Sequence, residues 1–78
     1  MMIISVKGYA LLKQFTAHLP TRGTLTVPDN ATVASVLEKL QVPSDSEVIT
    51  MINGRHCTLY HVLRPGDKLV FFPPLEGG

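Results

Sequence analysis

The run Lys68-Leu69-Val70-Phe71-Phe72, and the Pro73-Pro74 pair that follows it, constrain the fold more than any other stretch. Near-continuous apolar character suits a strand covered on both faces, which places it at the centre of a sheet. Proline has no N–H to give a ladder, so the strand is expected to stop at Phe72. Leu75-Glu76-Gly77-Gly78 then completes the sequence. Extended, residues 73–78 would reach roughly 20 Å. Gly77 and Gly78 lack a Cβ and can enter a narrow cleft. The terminal carboxylate on Gly78, ionised at neutral pH, is the expected functional group.

A central strand needs neighbours, and the rest of the chain offers them. Met2 to Lys7 is β-branched and roughly alternating, and Gly8 is read as its end. Tyr9 to Leu19 carries Leu11, Leu12, Phe15 and Leu19 at helical spacing, so a short helix or a loop with an apolar underside would both serve, with these residues as core. Thr24 to Val27 alternates like a half-buried strand. Thr32 is a plausible N-cap, and Val33, Val36, Leu37 and Leu40 form one helical stripe, predicting a helix over about 32–41. Its end is assigned to Gln41, ahead of Pro43. Glu47 to Ile52 reads as a strand, Asn53-Gly54 as a type I′ turn, and Arg55 to Thr58 as the return strand. Leu59 to Leu63 is expected to form a single 3₁₀ turn or an irregular crossing, and Arg64 to Asp67 a tight turn.

Pairing the first two strands antiparallel, and the last parallel to the first, gives the apolar strand its central place. The helix covers one face. This is an α+β arrangement of the β-grasp, or ubiquitin-like, type: a mixed sheet of about five strands under one main helix. The domain is expected to span 1–72, with 73–78 as a flexible tail.

Seventy-eight residues allow one domain of modest stability. A net charge of +1 gives no strong pull toward nucleic acid or an anionic membrane. No apolar run approaches the length of a membrane span, and the N-terminus lacks the order of a signal peptide. The single cysteine, Cys57, cannot form an internal disulfide. A cytoplasmic protein is the expectation. His56, Cys57 and His61 raise a metal site, but neighbours on a strand point to opposite faces, so the reading is against one. Cys57 is read as a small core residue. No catalytic base, nucleophile pair or phosphate loop is evident, so an enzyme is not expected, nor a bound cofactor.

From Pro65-Gly66-Asp67 through Phe71-Phe72-Pro73-Pro74 to Gly77-Gly78, the chain resembles the MoaD/ThiS family of small sulfur carriers, nearest its MoaD branch. Ala31-Thr32-Val33, Ile52-Asn53-Gly54-Arg55 and Tyr9-Ala10-Leu11-Leu12-Lys13 add weaker matches. The resemblance implies that Gly78 is adenylated at the expense of ATP by a MoeB/ThiF-like activating enzyme. A sulfur-transfer enzyme then converts it to a thiocarboxylate for molybdopterin assembly. A MoaE-like large synthase subunit is a further candidate partner. Thiamin thiazole synthesis, or conjugation to proteins through Gly78, are the alternatives. Pro73, Pro74, Leu75, Glu76 and Gly77 are the expected tail-recognition residues. Phe71, Phe72, Arg55 and Arg64 are the candidate partner surface, the two arginines framing the tail. Glu76 departs from the small residue usual before the glycines, and in a close channel it would have to be solvated or paired.

Overall fold

The computed structural model describes residues 1–74. Five strands form one mixed sheet in the order β2-β1-β5-β3-β4: β1 (Met2–Gly8), β2 (Thr24–Val27), β3 (Ile49–Ile52), β4 (Arg55–His56) and β5 (Lys68–Phe72). β1 pairs antiparallel with β2 and parallel with β5, and β5 pairs antiparallel with β3. The last strand is therefore central, as its apolar run requires. It ends at Phe72, before the prolines.

One helix, α1 (Val33–Lys39), crosses the sheet. Val33, Val36, Leu37 and Leu40 are buried against Ile4, Val6, Leu69 and Phe71. The start of α1 leaves no first-turn N–H idle. Val33 and Ala34 donate to the carbonyls of His61 and Leu59 at 3.0 and 2.9 Å. Ser35 donates to Thr32 Oγ1 at 3.2 Å, while the Ser35 hydroxyl accepts from Thr32 N–H at 2.9 Å. This is a reciprocal capping box with serine in the place of the usual glutamate. The Val33 and Ala34 bonds also tie the crossing at 59–63, which is irregular, to the helix. An isolated bridge from Thr32 to Val62 continues the contact.

Several expectations need correction. The helix stops because Gln41 turns left-handed (φ 67°), not because of Pro43. Gln41 N–H donates to Glu38 O and Val42 N–H to Leu37 O, the paired bonds of a Schellman motif. Gly8 is the last residue of β1, as its sequence position suggests. A Cβ there would meet the Leu12 carbonyl oxygen and, at 3.2 Å, the Phe71 ring. The segment after β1 is a 3₁₀ helix, Ala10–Phe15, in which Leu12 is buried but Leu11 is 84% exposed. Leu11 is therefore not core. The helical spacing misled because a 3₁₀ turn advances its side chains about 120° per residue, so an α-type stripe does not stay on one face. β4 ends at His56, two residues early, although Cys57 N–H still reaches Thr50 O at 3.1 Å. Lastly, β5 is covered on one face only. Leu69 and Phe71 are buried under α1, whereas Val70 and Phe72 are half-buried on the other face.

Candidate functional site at the tail end of the sheet

The register fixes what surrounds the exit of the chain. Phe72 lies opposite Ile49, and Val70 lies opposite Met51 on one side and Lys7 on the other. Alternation puts Phe72, Val70, Ile49 and Met51 on the face away from α1. All four are half-buried, and Ile3 on β1 is exposed on the same face. Lys7 and Lys68 stand beside them, and the Lys7 ammonium sits 5.1 Å from the centroid of the Tyr9 ring. The result is an apolar strip, edged by cations, that runs up to the point where the tail begins. Such a strip is what partner surfaces are made of.

Phe71 points the other way and is 0% exposed, so it belongs to the core and not to a partner surface. Its backbone carbonyl accepts from Tyr9 N–H at 3.1 Å, which anchors the start of the 3₁₀ helix to β5. Pro73 and Pro74 follow Phe72 and are half-buried. Leu75, Glu76, Gly77 and Gly78 lie outside the described residues.

Arg55 and Arg64 lie at the end of β5 opposite to the one from which Pro73 leaves. Arg55 pairs with Ile52, which is opposite Leu69 near the start of β5. Arg64 N–H donates to Asp67 Oδ2 at 2.9 Å, just before β5 begins. The tail leaves from the far end of that strand, about 13 Å away at 3.3 Å per residue. A hairpin turn necessarily lies at the end of β3 opposite to its start, and Phe72 is paired with that start.

The turn region holds a feature the sequence reading missed. Asn53 (φ 53°) and Gly54 (φ 84°) make the type I′ turn, and the Asn53 side chain works in a second way. Its Nδ2 donates to Asp67 Oδ1 at 3.0 Å, and its Oδ1 accepts from Lys68 N–H at 3.0 Å. Asp67, buried, thus receives bonds from both Asn53 and Arg64 and locks two turns 14 residues apart. Among the described residues, no three His, Cys, Asp or Glu side chains are placed to hold a metal ion.

A five-stranded mixed sheet with a single helix across it, and a central strand leading into the C-terminal segment, define a ubiquitin-like protein of the β-grasp class. The model of the ThiS family matches residues 9–78, and the chain belongs to that family. Its fold is that of the ThiS/MoaD-type sulfur carriers. Among solved structures it is similar to SAMP1 from Haloferax volcanii, at 26% identity over 97% of this chain and 99% of that one, with a TM-score of 0.72. A second structure, of H. volcanii small archaeal modifier protein 1, aligns at 23% identity over 96% and 100% of the two chains, with a TM-score of 0.71. A Pyrococcus furiosus protein assigned as molybdopterin converting factor subunit 1 aligns at 21% identity, over 96% and 100%, with a TM-score of 0.75. No curated protein matches significantly.

Proposed function

We propose that this protein is a sulfur carrier whose reacting group is the carboxylate of Gly78, and that it serves molybdopterin assembly. The reading is carried by the placement of β5. The strand that feeds the tail is paired on both edges, with β1 and β3, and the half-buried strip around Phe72 adjoins its exit. A partner docked on Ile49, Met51, Val70 and Phe72 would receive the tail at its own active site. Binding energy would then come from a preformed surface, leaving few residues to be ordered on association.

The chemistry needs help from outside. A carboxylate is a poor acyl donor because oxide is a bad leaving group. Attack of a Gly78 oxygen on the α-phosphate of ATP forms the acyl-adenylate and releases pyrophosphate. A persulfide or sulfide sulfur then attacks the acyl carbon, AMP leaves, and the thiocarboxylate remains once any persulfide S–S bond has been reduced. The activating partner is a MoeB/ThiF-like adenylyltransferase, and the sulfur comes from a sulfur-transfer enzyme. A MoaE-like subunit is the proposed recipient. Leu75, beyond the prolines, would act as an apolar anchor, and Glu76 requires a cation or water in the partner's channel.

A second reading, conjugation of Gly78 to lysines of other proteins, is favoured by the likeness to SAMP1. Intact-mass measurement after incubation with a MoaD-type activating enzyme, ATP and sulfide separates the two. Replacement of one oxygen by sulfur on the chain supports the carrier. An adduct joined through Gly78 supports the modifier. Absence of both products, with the wild-type fold intact, would overturn the Gly78 reading. The variant Gly78→Ala is expected to fold as the wild type and to form the sulfur product at least tenfold more slowly, since the added methyl crowds the attacked carbon.

A further inference from the structure

We infer that the end of the sheet opposite the tail carries a separate site for a small oxyanion of the phosphate or sulfate type. A concavity of about 560 Å³ lies there between the β3–β4 turn, the crossing at 57–63 and the turn before β5. Arg55, His56, His61 and Arg64 line it, together with Cys57 and Asp67. Both arginines and His61 are exposed at its rim. In a chain of net charge +1, two of the three arginines therefore border one depression together with His61, while the His56 side chain, next to Arg55 on β4 and paired with Met51, points to the other face of the sheet.

The two guanidinium groups have not been used up by the fold. Among the described residues the only ion pair joins the N-terminal ammonium to Asp29. The one carboxylate in the wall, Asp67, is buried and already takes bonds from Asn53 Nδ2 and Arg64 N–H. Asp67 thus organises the floor, while the guanidinium groups of Arg55 and Arg64 stay available. Guanidinium presents a planar fork of N–H donors that matches a tetrahedral oxyanion, and the His61 imidazole adds a ring N–H. Asp67 offsets part of the positive charge, so a compact dianion held by direct hydrogen bonds fits better than a diffuse polyanion. Nothing here depends on Gly78: the concavity and the tail exit lie at opposite ends of β5, and either assignment can fail alone.

The test is an amide and imidazole NMR titration of the ¹⁵N-labelled protein with sodium sulfate and with inorganic phosphate, against sodium chloride at matched ionic strength. Expected are saturable shifts confined to the amides of residues 53–57, 61 and 64 and to the His61 ring, with chloride giving none. Arg64→Gln keeps the main-chain N–H that Asp67 accepts, so the turn survives. It and Arg55→Gln should each weaken sulfate binding at least fivefold, and the double variant should abolish saturation. Arg22→Gln, remote from the concavity, should leave the affinity unchanged and keep a wild-type spectrum. Linear shifts spread over all lysines and arginines, or equal affinities for wild type and the double variant, would overturn the site.

Discussion

Gln41 is a single side chain in a costly conformation. It stands at the C′ position of α1 with φ 67°, where glycine is the usual occupant. An L-residue in the left-handed region is disfavoured by roughly 1 kcal/mol. Glycine removes that strain but is more flexible when unfolded, which takes back part of the gain. The two Schellman bonds are made by main-chain N–H groups and are unaffected by the change. Gln41→Gly is therefore expected to stabilise the protein by about 0.5–1 kcal/mol. A urea unfolding midpoint shifted upward with an unchanged slope would show it, and a lower midpoint would mean that the Gln41 side chain makes a contact worth more than the strain. Asn53 is a different case. It too is left-handed (φ 53°), but its side chain bonds both Asp67 and Lys68. Turn chemistry made its backbone legible from the Asn-Gly pair alone. The bond to Asp67 was not legible, because no local signal links positions 14 residues apart.

Among the elements, α1 and the β3–β4 hairpin were readable because each is specified by neighbours in sequence: a 3.6-residue stripe with a threonine cap, and an Asn-Gly turn. The central place of β5 was readable from its composition. What escaped was whatever tertiary contact decides. The outer face of β5 shows this, since apolar residues left half-exposed look the same in sequence as residues buried by a second layer. The 3₁₀ helix at Ala10–Phe15 is held from outside as well. Its first turn hangs on Phe71 O, and Gly8 N–H donates to Thr16 Oγ1 at 3.2 Å. Gly8 gives the chain room to fold back over β1. A methyl at that position would press on the Leu12 main chain, which cannot swing aside as a side-chain tip would. Overpacking of this kind costs about 1–3 kcal/mol. Gly8→Ala should lower the urea midpoint accordingly and shift the amide signals of residues 10–16 more than those of α1. Equal stability would mean that the 3₁₀ helix moves freely off the strand.

For the whole molecule, adjacent phenylalanines on one strand divide its two requirements, a core and a face to present. Phe71 is fully buried under α1, and Phe72 is half-buried beside Ile49 on the open face. Truncating a buried phenylalanine costs about 3–5 kcal/mol. A domain of this length holds on the order of 4–12 kcal/mol in total. Phe71→Ala is therefore expected to remove from about a quarter to all of that stability, seen as a urea midpoint lowered in proportion. Phe72→Ser removes apolar area that is only partly withdrawn from water, so its cost to stability should stay near 1 kcal/mol. If the open face is the docking surface, the same Phe72→Ser should raise the concentration needed for half-maximal adenylation by the activating enzyme at least tenfold, while a saturating amount restores the rate. A rate lost at all concentrations would place Phe72 in delivery of the tail instead of docking. Unchanged kinetics would remove the open face from recognition, leaving affinity to be sought in α1 or in the tail itself.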